Sequence, residues 1–215
     1  MHQKSRLQIG LRVKAGTGSE TRGTYTSPSH TSGHKLDRIL YDAQTEIFDQ
    51  EVFSILVKEA GNLPTAPTRV SERLIVVDAA EDITLEFALV DTVPEATVGT
   101  HPYECDLCEL IYHALQALVI TQHGRRQKQK SAIPAPSHLP STILQPVVNI
   151  LQYRVFCRRI HSNLASAARG LSDAGIDSQL DFTAVSETGE EILGLLDNDK
   201  GQILTGEATI NISDW

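Results

Sequence analysis

The stretch HPYECDLCELIYH, residues 101 to 113, holds the side chains best suited to chemistry. Cys105 and Cys108 form a C-x-x-C, with His101 before them and His113 after. Thiolate and imidazole are zinc ligands, and a C-x-x-C at a helix start is also how a redox dithiol is built. A structural zinc site needs four ligands around a tetrahedron and usually draws them from two knuckles well apart in sequence. On a helix beginning near Glu104, Cys105 and Cys108 stand about 60° apart, while His113 lies about 140° from Cys108 and cannot join the same ion. His101 precedes Pro102 and could reach Cys105. His101, Cys105 and Cys108 therefore define one alternative, a small zinc-binding or thiol-redox protein. Against the redox form, DTVPEATVGT is a poor strand to precede such a helix, and Glu104 and Asp106 oppose a thiolate. The plainer reading is two small apolar side chains near the start of a buried helix. Cys157 has no cysteine neighbour.

Other reactive templates do not assemble. The chain has no G-x-S-x-G, no H-E-x-x-H and no kinase signature. Gly16-x-Gly18 is followed by Ser19-Glu20, an acid where a phosphate loop needs Gly-Lys-Ser/Thr. The acid pairs Glu81-Asp82 and Glu190-Glu191 sit at turns or strand starts. Arg154, Arg158 and Arg159 share a helix segment, and Arg125, Arg126, Lys128 and Lys130 fall in a linker. Each cluster reads first as a solvated face and second as a patch for an acidic partner or nuclear import. No catalytic, cofactor-binding or metal residue is assigned. The expectation is a protein that is not an enzyme and has no cofactor or small-molecule substrate.

The 215 residues suffice for one large domain or two small ones. With Lys+Arg 19 against Asp+Glu 27, the net charge of −8 disfavours direct nucleic-acid binding, which needs excess positive charge. Three cysteines fit a reducing compartment better than a disulfide framework. MHQKSRLQIG has no apolar core of a signal peptide, and no apolar run approaches the ~20 residues that span a bilayer, so no membrane is expected.

The elements that must position these residues read as α+β, long helices packed with small antiparallel β-sheets and hairpins. LQIGLRV alternates, with Leu7, Ile9, Leu11 and Val13 on one face, and predicts a half-buried strand whose mate is distant or on another chain. With the Gly/Ser/Thr-rich loop after it, expected to be flexible, it forms a segment 1–35. Segment 36–123 reads as helix, β-hairpin, helix. In its first helix Leu36, Leu40, Ala43 and Ile47 form one stripe, and Phe48, Val52, Ile55 and Leu56 widen it, which predicts packing on more than one neighbour. LIVV and ITLEFALV are the hairpin arms, with Ala79-Ala80-Glu81-Asp82 as the turn. The helix over 104–122 is apolar nearly all round, as a core helix is. A basic, proline-bearing linker covers 124–140. Segment 141–215 is a long helix capped by Ser141, then a β-meander through QLDFTAV, EEILGLL and GQILTGEATINI, where EEILGLL suits a short helix equally well.

This order of elements, with several short motifs, resembles a family. Ile47-Phe48, Glu51-Val52-Phe53, Glu59-Ala60 and Val70 before the strand RLIVV, then LCELIYHALQAL and ILQPVVNILQY, are similar to the pattern of Mediator complex subunit 17 over roughly residues 6 to 212. The resemblance implies the C-terminal portion of a non-enzymatic head-module scaffold in the nucleus. That scaffold would bridge other Mediator head subunits, a hetero-oligomeric coactivator complex, and meet the RNA polymerase II machinery indirectly. It offers no catalytic residues to carry over.

Overall fold

The computed structural model describes residues 5–14, 19–28, 34–91, 101–131, 142–183 and 206–212, with the backbone alone for 128–131. The chain divides into two compact units, Met1–Val148 and Asn149–Trp215.

In the first unit the alternating segment forms β1 (Arg6–Lys14), which pairs antiparallel on both sides. One mate is distant, β5 (Ile83–Val90), as the alternation required. The other is β2 (Glu20–Thr26), in register from Gln8↔Thr26 to Lys14↔Glu20. The sequence reading of 15–34 as a flexible loop is corrected for Glu20–Thr26, which form a strand. ETRGTYT lacks a run of apolar residues, yet its threonines and tyrosine suit a pleated surface, and β1 supplies the hydrogen bonds the segment could not make alone. β3 (Thr68–Val70) and β4 (Leu74–Ala80) complete a five-stranded sheet of order β2-β1-β5-β4-β3. Ala79 and Ala80 belong to β4, so the hairpin turn is shorter than expected, and the β4–β5 register shifts between Asp78 and Ala80.

One face of this sheet is mostly apolar. Leu7, Ile9, Leu11, Ile75, Val77, Leu85 and Phe87 are all inaccessible to solvent. Helices α1 (Lys35–Ala60) and α2 (Pro102–Ser131) cover it. The opposite face carries Glu86 paired with Arg12 and, at 3.5 Å, with Arg22. Helices collected on one face of an antiparallel sheet make the α+β class.

The two helices differ from expectation in instructive ways. α2 buries Leu107, Cys108, Ile111, Tyr112, Leu115 and Val119 along one side and exposes Leu110, His113 and Ile120 on the other, so it is a one-sided cover and not an all-round core helix. It also continues to Ser131, carrying Arg125 and Arg126 on helix where a linker was expected. The helix α3 (Leu144–Asp173) begins in the first unit with Pro146 in its first turn, where proline costs least. Ser141, expected as its cap, and EEILGLL both lie outside the described residues.

In the second unit α3 ends in a Schellman motif. Gly175 takes φ 81, and the amides of Gly175 and Ile176 donate to the carbonyls of Ser172 and Leu171, both at 3.0 Å. β6 (Ser178–Thr183) and β7 (Glu207–Ile212) pair antiparallel, placing Leu180, Phe182, Ala208 and Ile210 on one face. Phe182 meets the His161 ring of α3 edge-on at 5.1 Å.

Candidate interaction surface

α1 has two apolar faces. At about 100° per residue, Val52, Phe53, Leu56 and Ala60 fall within an arc of about 100°, and all four are buried against the sheet. Leu36, Ile39, Leu40, Ala43 and Ile47 fall within a second arc of similar width, centred about 140° away. Leu36 is 74%, Ile39 54%, Leu40 57% and Ile47 67% exposed. The stripe ends where Gln50, Ser54 and Lys58 follow on the same side. A large aliphatic side chain gains about 1.5–3 kcal/mol when fully buried, so this face leaves much of its apolar surface unused.

Two carboxylates, one buried and one half-buried, fix the helix that presents the stripe. Pairing of β1 with β2 ends at Gln8↔Thr26, leaving the amide of Leu7 beyond the last partner. Asp49, wholly buried on α1, accepts that amide at 3.1 Å and the Tyr112 hydroxyl of α2 at 2.8 Å. One side chain thus ties sheet, α1 and α2 together. Burial pushes its carboxyl above the ordinary value, while the Leu7 amide, Tyr112 and Arg6 pull the other way. The Tyr112 phenol is also pushed up, by burial first and then by the Asp49 charge. Ten residues along, Glu59 accepts the amides of Ile143 and Leu144, each at 2.8 Å, and so caps α3 from another helix. Arg6 and Asp42, 2.8 Å apart, add a largely buried ion pair between β1 and α1.

The cysteine segment is placed differently from a ligand cluster. Cys108 is fully buried and burial pushes its thiol up to about 12, opposite to a reactive thiolate. Cys105 is half-buried and, like Cys108 and Cys157, is a free thiol. His101 turns to Glu104, whose other carboxylate oxygen accepts the Thr21 hydroxyl at 2.8 Å, and the His101 amide donates to the Arg22 carbonyl. His113 lies on the exposed side with Glu109 and Gln116. Among the described residues no three His, Cys, Asp or Glu side chains gather where they could hold a metal ion. What the segment does instead is dock: Glu104 lies so close over β2 that a Cβ at Gly23 would come within 2.2 Å of its carbonyl carbon. The contacts of Asp49, Glu59 and Gly23 escaped the sequence because each depends on a partner at least forty residues away.

Fold and surface together define an α+β protein whose described residues show an uncovered apolar helix face rather than an assembled metal centre. A family model described as subunit 17 of Mediator complex matches residues 2–171, and the chain belongs to that family. It is 23% identical over 185 residues to Mediator of RNA polymerase II transcription subunit 17 from Aspergillus oryzae, covering 82% of this chain and 28% of that one. To the protein of the same name from Emericella nidulans it is 24% identical over 193 residues, covering 84% and 30%. The chain therefore spans less than a third of the length of these curated relatives. In fold it is similar to a chain in the structure of the Schizosaccharomyces pombe Mediator head module. The TM-score is 0.56 at 16% identity, with 98% of this chain and 49% of that chain covered.

Proposed function

We propose that this chain serves as part of a non-enzymatic scaffold subunit of the nuclear Mediator coactivator. It would bridge other head-module subunits and so support transcription by RNA polymerase II, reached through those subunits and not by direct contact with nucleic acid. Membership of the family supports the assignment. One structural observation carries the scaffolding role: α1 buries one apolar face in its own unit and holds a second one out, from Leu36 to Ile47. A protein acting alone gains nothing from that second face, whereas a permanent subunit uses it as interface core.

The test is affinity purification of the full-length protein from nuclear extract at endogenous level. Co-recovery of other Mediator head proteins in fixed ratio is the expected result. Recovery of the protein free of them, under conditions that keep the rest of the complex intact, overturns the proposal. Purified protein carrying stoichiometric zinc would revive the His101, Cys105 and Cys108 alternative.

A further inference from the structure

From Leu110 to Ser172 the chain has no Asp or Glu and eight Lys or Arg. All 27 acids lie outside this stretch, with eleven of the nineteen bases. A stretch of one sign repels itself and draws in opposite charge. Four of the eight bases, Arg154, Arg158, Arg159 and Arg169, lie on α3 within the second unit. At about 100° per residue, Arg154, Arg158, His161 and Arg169 fall within an arc of about 80°, and Arg159 stands off it. This stripe runs about 22 Å along the helix. Arg158, His161 and Arg169 are exposed and Arg154 is half-buried. Arg154 and Arg158 are one turn apart, where like charges oppose each other. Burial, and after it the Arg158 charge, hold Arg154 below its ordinary value. Among the described residues Arg158 and Arg169 enter no ion pair. The Nε of Arg169 donates to the Ala165 carbonyl of its own helix at 3.3 Å, and its terminal nitrogens have no partner among those residues.

We propose that this stripe docks an acidic segment of another protein, whose Asp or Glu side chains meet Arg158 and Arg169. The inference rests on the scaffold reading and adds to it one docking face and the charge of what docks there. A guanidinium takes a carboxylate through two parallel hydrogen bonds, so each arginine fixes position as well as sign. Length and net charge favour a protein over a nucleic acid. The whole chain carries −8, so a uniformly charged polyanion is repelled wherever it runs past the stripe, and a few phosphate contacts alone hold it weakly. A short acidic segment brings its charge only where the arginines are. A second copy is opposed in a symmetric contact, because two-fold pairing through α3 sets the stripe against itself.

The test uses the purified 215-residue chain and three labelled probes. Two are synthetic alanine-based helical peptides, one with glutamate and the other with lysine along one face; the third is a single-stranded DNA of similar length. Fluorescence anisotropy at low salt should show the glutamate peptide binding about tenfold more tightly than the lysine peptide, with the gap shrinking as salt rises. The charge reversal R158E/R169E should weaken the glutamate peptide about tenfold and turn the preference toward lysine, with circular dichroism unchanged. R125E/R126E, on α2, is the control and should keep most of the binding. Equal affinity for the two peptides, or a glutamate peptide that does not bind because the stripe is already neutralised within the chain, overturns the proposal. So does a loss in R125E/R126E as large as that in R158E/R169E. DNA bound more tightly than the glutamate peptide overturns it in favour of a nucleic acid, and a dimer of the chain that R158E/R169E dissolves overturns it in favour of a second copy. These outcomes leave the co-purification test untouched: a scaffold that assembles through other faces would still recover its head subunits with R158E/R169E in place.

Discussion

The carboxylate of Glu59 accepts the amide of Ile143 at 2.8 Å, closing a gap of 84 residues between the end of α1 and the start of α3. Glu59-Ala60 and Ile143-Leu144-Gln145-Pro146 are two of the motifs that mark the family resemblance, and the structure shows that they are halves of one contact. The first turn of a helix leaves amides without partners, and a negative charge there also meets the positive end of the helix dipole. Glu59→Ala is therefore expected to destabilise the first unit by about 1–2 kcal/mol, the cost of losing a cap. Glu59→Gln, which keeps a single acceptor, should fall between. Urea unfolding of the three proteins side by side gives the order.

Asp49 leads to a prediction about pH. Its carboxyl is raised above 3.8, with burial the first cause, and Glu59 is likewise raised above 4.5 by burial. A group whose folded value exceeds its unfolded one holds more proton in the native state, so stability falls as pH rises through the window between the two values. Asp49→Asn removes one such group and keeps an acceptor for Leu7. Measured as urea midpoints, wild type should lose ground to Asp49→Asn from about pH 4 upward, with the difference levelling once the native carboxyl is fully ionised. A difference that moves in wild type's favour would show that hydrogen bonding outweighs burial at this site. Asp49→Ala, which strands the Leu7 amide and costs Tyr112 a partner, should lose about 2–4 kcal/mol at neutral pH.

Gly23 makes a steric prediction. β2 lies under the first turn of α2 so closely that an added methyl meets Glu104 backbone and Cβ within 2.5 Å. Gly23→Ala should cost about 1–3 kcal/mol by overpacking and raise amide exchange in β2 before the rest of the sheet. Gly10→Ala is the control, since its nearest neighbour, the Glu86 side chain, stands at 3.4 Å.

The thiols differ in accessibility, Cys108 being fully buried and Cys105 half-buried. With its thiol pushed up to about 12 and no exposed surface, Cys108 should resist alkylation in the native protein at pH 8, while half-buried Cys105 reacts. Peptide mass spectrometry after a short iodoacetamide pulse separates the two. Rapid labelling of Cys108 would mean that α2 opens readily from the sheet.

Much of the architecture was legible because it follows from periodicity. The period-two face of Leu7, Ile9 and Leu11 and the wide arc of α1 both announce how their elements pack. β2 was not legible, because ETRGTYT owes its conformation to pairing with β1 and not to an apolar pattern of its own. α2 was read as apolar all round because helix position cannot tell a buried leucine from an exposed one; Leu110 and Leu115 differ only in what lies opposite. The C-x-x-C drew attention by type and spacing, yet burial of Cys108 and the turn of His101 toward Glu104 decide its role. Those are tertiary facts. The second face of α1 was foreseeable as excess apolar surface, while its exposure from Leu36 to Ile47 required knowing where the sheet stops.

That exposure separates two leucines of one helix. Leu56 is fully buried under the sheet and Leu40 is 57% exposed on the opposite face. Leu56→Ala removes buried methyl groups and leaves a cavity, at a cost of about 2–5 kcal/mol. Leu40→Ala removes side-chain atoms that already face water, and alanine is the better helix former, so the stability of the isolated chain should change by no more than about 0.5 kcal/mol. Urea midpoints of the two variants measure the contrast directly. A large loss in Leu40→Ala would show the stripe already covered within the chain, and with that the surface offered to a partner would disappear.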